Sequence, residues 1–154
     1  MKRLCCMVLL LCLFPVFSCA ESELRGFEEA LLKSYLNLYS LPAPNGPGRN
    51  GNTTVFVCDD YMIVLTFNEE EDHFVRGLLS YYKPLDYDFV GVGVCMIRAF
   101  FGTDYMLPFL EALAHFHGES AGIGFANDQK DAVYVSNTDE GFPVLLIKLN
   151  WNNQ

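Results

Sequence analysis

The apolar positions divide the chain into a leader, a helical stretch, a turn-rich connection and a longer body of strand-like and helix-like segments. Leu4 to Phe14 is an uncharged apolar run behind Lys2 and Arg3, and Pro15 ends it. The run is shorter than the about 20 apolar residues that a spanning helix needs. Ser18 and Ala20 are small residues two apart, as a signal peptidase requires before its cut. Residues 1–20 are therefore expected to be a signal peptide, with Glu21 as the mature N-terminus. Val16-Phe17-Ser18-Cys19 also has the form of a relaxed lipobox. Processing there would lipidate Cys19 and tether the protein to a membrane.

Residues 21–40 predict an amphipathic helix. Ser22 is its expected N-cap, and Leu24, Phe27, Leu31, Tyr35 and Leu38 form a stripe at helical spacing. Pro42 and Pro44 stop it, and residues 41–53, rich in Pro, Gly and Asn, read as a linker. The body then spans residues 54–154. Residues 54–58 and 61–67 predict two strands around an Asp59-Asp60 turn. Residues 69–83 predict a helix, with Asn68 as cap, Glu69–Asp72 in the first turn, and Phe74, Leu78 and Tyr81 or Tyr82 inward. The alternation in residues 88–97, DFVGVGVCMI, predicts a strand with Gly91 and Gly93 on one face. Residues 108–117 predict a third helix between Pro108 and Gly118. Residues 121–126, 131–136 and 143–149 predict three closing strands. Short connections between strands imply α+β: a largely antiparallel sheet of five to six strands, with three helices packed on it, in a single domain.

Charge narrows the partners. The chain has 10 basic and 19 acidic residues, a net −9. Loss of Lys2 and Arg3 with the leader leaves eight basic residues, hence −11. Such a chain is repelled by phosphate backbones and anionic lipid, so no nucleic-acid partner is expected, and membrane contact only through a lipidated Cys19. A basic protein is the partner the charge suits. Four of six cysteines leave with the leader. Cys58 and Cys95 remain, either as two buried thiols or as one disulfide, which would contribute roughly 3–4 kcal/mol.

Candidate chemistry is sparse. His115 and His117, two apart on a helix, cannot chelate one ion, and no third ligand is near in sequence, so neither a metal nor another cofactor is expected. Gly118-Glu119-Ser120-Ala121-Gly122 has the G-x-S-x-G form, but it lies between a helix and a strand, the reverse of a nucleophile elbow. Cys95 lies in an apolar run and Cys58 before two acids, both poor settings for a thiolate. The segment from Ser80 to Phe89 holds Tyr81, Tyr82 and Tyr87 among Pro and Asp, a composition that suits a recognition surface. The leading expectation is an exported, acidic, non-enzymatic binding protein of inhibitory or immunity type, periplasmic or secreted. The alternatives are an extracytoplasmic hydrolase using Ser120 or Cys95 with His115 or His117, and a membrane-anchored envelope lipoprotein built on Cys19.

Overall fold

A computed structural model describes residues 25–68, 73–128 and 131–149. It is α+β. Among the described residues seven strands form one antiparallel sheet: β1 (Asn45–Asn50), β2 (Thr53–Val57), β3 (Tyr61–Asn68), β4 (His73–Tyr81), β5 (Gly122–Phe125), β6 (Ala132–Asn137) and β7 (Pro143–Lys148). Their spatial order is β1-β2-β3-β4-β7-β6-β5. Two meanders therefore meet where β4 pairs with β7. The helices are α1 (residues 25–38), α2 (Tyr87–Phe100) and α3 (Met106–Ala114), with a short 3-10 turn over Thr103–Tyr105. Among the described residues no helix is long and apolar enough to cross a membrane.

The described helices cover one face of the sheet. Tyr61, Ile63, Leu65 and Phe67 alternate along β3 and are buried, as are Leu145 and Ile147 on β7. They share one core with Leu32 and Leu36 of α1, Met96 of α2 and Phe109 of α3. The strand period of two puts every second side chain into that core, and the helices cover it with one stripe each.

Two predicted elements exchange identity. Residues 69–83 were expected to be helical; His73–Tyr81 form β4 instead, and Tyr82 and Lys83 begin the turn after it. Phe74, Gly77, Leu79 and Tyr81 point inward, while Leu78 points out. A pairing shift between Thr66 and Phe67 sets Arg76 opposite Thr66 but Phe74 opposite Phe67. That irregularity breaks the strict alternation and disguises the strand as a helical stripe. Residues 88–97 were expected to be a strand; they lie within α2. Its buried Phe89, Val92, Gly93, Met96, Ile97 and Phe100 stand at helical spacing. Asp86 caps it, accepting from the Phe89 amide at 3.0 Å. Glycine in a helix costs about 1 kcal/mol relative to alanine. Here it admits tight packing: a Cβ on Gly93 would lie 2.8 Å from the Phe109 ring and 3.1 Å from Leu145, and one on Gly91 would lie 2.9 Å from Leu41.

The linker reading of residues 41–53 is also corrected. Asn45–Asn50 adds an edge strand to β2, with a pairing shift between Asn45 and Gly48. Proline and bulges are suited to an edge, where one row of amides needs no strand partner. This strand holds α1: Arg49 pairs with Glu29 at 2.5 Å, and Lys33 donates to the Gly46 carbonyl at 3.2 Å. With Leu32 and Leu36 fully buried, the first helix belongs to the body. Strands 121–126, 131–136 and 143–149 and the hairpin around Asp59-Asp60 were placed correctly to within a residue or two. In α3, Pro108 is the third residue rather than the first, and His115 rather than Gly118 is the C-cap. The leader, Cys19, Ser22, Leu24, the acidic run Glu69–Asp72 and the last five residues lie outside the described residues.

Candidate functional site

The connection from β4 to α2 carries the tyrosines singled out by sequence, and it splits them. Tyr81 ends β4 on the inward parity and is 1% exposed. Its hydroxyl donates to Asp86 at 3.0 Å (Oδ1) and 3.1 Å (Oδ2), and its ring meets Phe89 edge-on at 5.7 Å. Burial, then the hydrogen bond to Asp86, raises its pKa well above that of ordinary tyrosine. Tyr81 is thus a structural post, not a recognition residue. Asp86 holds that post and the start of α2 together. Asp60 anchors the preceding turn: its carbonyl accepts from the Tyr82 amide at 2.9 Å, and its carboxylate pairs with Lys83 at 2.6 Å. That hydrogen bond raises the Lys83 pKa.

Pinned at both ends, the turn turns its other apolar side chains outward. Tyr87 is 94% exposed, Leu85 48% and Tyr82 43%. Leu85, Asp86, Tyr87 and Val90 line a recess of about 500 Å³ whose further wall is Leu113 of α3. Leu107 and Leu110 on the same helix are exposed as well. A cup with aliphatic walls, an aromatic lip and a carboxylate at its edge can seat an apolar side chain flanked by positive charge. Among the described residues no serine, cysteine or histidine lines it.

The residues of the hydrolase alternative do not meet in this recess. Cys95 is fully buried on α2, and burial pushes its thiol up to about 11. His115, His117 and Ser120 are exposed beyond the end of α3. The His115 ring bonds the Glu111 carbonyl of its own helix at 2.8 Å. Gly118, with φ +81, stands in open space, whereas Gly122 lies against the α3 backbone; the two glycines of the G-x-S-x-G string thus serve a turn and a packing contact. Among the described residues no group of three or more His, Cys, Asp or Glu is placed to hold a metal ion. Cys58 and Cys95 are free thiols here, one half-buried and one buried. Both lie near the Tyr61 hydroxyl, whose pKa burial and then these thiols raise.

Sequence reading missed a second polar cluster. Asp131, 5% exposed, accepts from the Tyr105 hydroxyl at 2.8 Å and from Asn127 Nδ2 at 2.7 Å, and its amide donates back to Asn127 at 3.2 Å. It fastens the β5–β6 turn to the start of α3. Asn127 and Asp131 fall between and at the edge of two predicted strands, and Tyr105 is too distant in sequence to have been linked to them.

Compared with protein-family models, curated proteins and solved structures, the chain matches none.

Proposed function

We propose that this chain is an exported, non-enzymatic binding protein, of inhibitory or immunity type, whose recess seats an apolar side chain of a basic protein partner. The reading rests above all on the recess between α2 and α3, rimmed by the freely exposed Tyr87. Tyrosine supplies large contact area at little entropic cost and is enriched where binding energy concentrates. The acidic balance supports a basic partner, since charge complementarity speeds encounter and rejects acidic competitors.

Affinity capture from the exported fraction tests this. A basic protein is expected to be retained at low salt and released at high salt. Tyr87→Ala, at a site too exposed to affect folding, is expected to weaken retention by about 2 kcal/mol, roughly 30-fold. Absence of any retained basic protein at low salt would refute the reading.

A further inference from the structure

One motif of the chain lies away from the recess and plays no part in it. Asn52-Thr53-Thr54 has the Asn-x-Thr spacing of an N-glycosylation acceptor, with no proline at the middle position. The fold sets it on the β1–β2 turn. Asn50 pairs with Thr53, so Gly51 and Asn52 form a two-residue hairpin loop, with Gly51 at φ +55. Asn50, Gly51 and Asn52 are all exposed, and a Cβ on Gly51 would meet nothing within 4 Å. The Asn52 carbonyl accepts from the Phe67 amide at 2.8 Å, which fixes its backbone. No hydrogen bond to a described residue holds its side-chain amide.

We infer that Asn52 is an N-glycosylation site, modified during export and before the chain folds. The inference rests on the export part of the reading above and not on the recess. The order follows from the second half of the signal. Transfer requires the Asn52 amide and the hydroxyl two residues on to be presented together on an accessible segment. In the folded protein Thr54 is 1% exposed, on the inward parity of β2 with Phe56. Its backbone stands between Arg49 of β1 and Leu65 of β3. Folding therefore withdraws the hydroxyl while leaving Asn52 outside. A group attached earlier stays in solvent as the sheet closes.

The donor is an oligosaccharide linked through diphosphate to a membrane polyprenol. The Asn52 amide nitrogen attacks the anomeric carbon of the first sugar. A C–N bond forms, the C–O bond to the diphosphate breaks, the lipid diphosphate leaves with the electron pair, and the nitrogen gives up one proton. Such a group is bulky and hydrophilic, so it needs an open surface position. The β1–β2 turn supplies one at the edge of the sheet. It is also remote from the recess. Register carries Thr53 to Thr66 and Arg76 at one end of the strands, and Val57 to Met62 and Ser80 at the other, where the connection to α2 begins. Four residue steps separate the two rows, about 13 Å along the sheet.

Mass spectrometry of the protein from its natural exported fraction tests the inference, with the full chain, leader included, expressed in cultured animal cells for the variants. The natural protein is expected to carry an oligosaccharide at Asn52, which peptide-N-glycosidase removes, leaving a carboxylate in place of the amide. Asn52→Gln and Thr54→Val are expected to abolish it, and Thr54→Ser to retain it. Thr54→Val keeps Asn52 and the β-branched shape and removes only the hydroxyl, so the loss reports the signal rather than the fold. Folded protein made without the glycan, then offered solubilised transferase and lipid-linked donor, is expected to remain unmodified. A bare Asn52 on natural chains that have lost their leader overturns the inference and leaves export standing. Chains found only inside the cell with the leader attached overturn both. A glycan that survives Thr54→Val, or one that folded protein accepts as fast as the nascent chain, likewise overturns it. Tyr87→Ala is expected to leave the glycan in place, which separates this inference from the recess reading.

Discussion

The contact between α3 and β5 leaves no room for a side chain, and that makes Gly122 the most informative position to perturb. A Cβ there would lie 1.8 Å from the Ala112 carbonyl oxygen and 2.8 Å from its carbon, where ordinary contact begins at 3.4 Å. Gly122→Ala therefore requires helix and strand to separate by about 1.6 Å, the shortfall of the closest contact. Both sides of the clash are backbone, so no rotamer change relieves it. Gaps of 0.5–1 Å already forfeit about a quarter to a half of the dispersion energy between facing atoms. The expected cost is about 3 kcal/mol, the upper end of overpacking in a well-packed core. That lowers Tm by about 10–15 °C for a domain of this size. Thermal and urea unfolding followed by far-UV circular dichroism measure it. Two other glycines isolate the cause. Gly118 has φ +81 in open space, so Gly118→Ala incurs backbone strain alone, about 1 kcal/mol. Gly26 lies in α1 with nothing within 4 Å, so Gly26→Ala is expected to stabilise by up to about 1 kcal/mol. If Gly122→Ala costs no more than Gly118→Ala, the close packing of α3 on β5 is refuted. Because α3 carries Leu113, the same substitution is expected to widen the recess and weaken binding.

Asp86→Ala removes both the α2 cap and the acceptor of the Tyr81 hydroxyl; a loss of about 2–3 kcal/mol in urea unfolding is expected, with Asp88→Ala near neutral as the control. Burial raises the pKa of Tyr61 and Tyr105 as well as that of Tyr81 above the usual 10.0, and that of Cys95 from 9.0 to about 11. The folded state then keeps protons that the unfolded state loses, so stability is expected to fall as pH rises from about 9 to 11. A urea midpoint constant over that range would contradict this. Native Cys95 is expected to alkylate near pH 8 at least about 100-fold more slowly than an unperturbed thiol, as judged by mass spectrometry. Cleavage of the leader is expected to leave Glu21 as the N-terminal residue, as read by mass spectrometry; a diacylated Cys19 would establish the lipoprotein alternative.

Local pattern was enough to place α1, α3, the β2–β3 hairpin and the β5–β7 meander, although the stripe expected on α1 is out of phase, Phe27 and Leu38 being exposed and Leu32 and Leu36 buried. In each, one face of a single element is apolar at the period of that element, so the signal is complete within a dozen residues. The exchange of β4 and α2 arose where that condition failed. The pairing shift near Phe74 displaced the strand alternation, and the Val-Gly repeat of α2 carries a strand-like composition in a segment held helical by Phe109, Leu145 and Leu41. The recess followed the same division. The tyrosine-rich stretch was recognisable from composition, but which tyrosine faced solvent was not. That depended on the inward parity of Tyr81, and the far wall, Leu113, comes from another helix.

By itself the sequence determined the α+β class, the acidic balance and the boundaries of most elements, because these depend on composition and on neighbours along the chain. Tertiary structure alone decided which strands lie side by side. It set Val55 and Ile123 in one apolar row, and it brought the end of β4, the start of α2 and the body of α3 around one cup. Those juxtapositions come from strand register and helix packing between residues distant in the chain, and no local pattern encodes them.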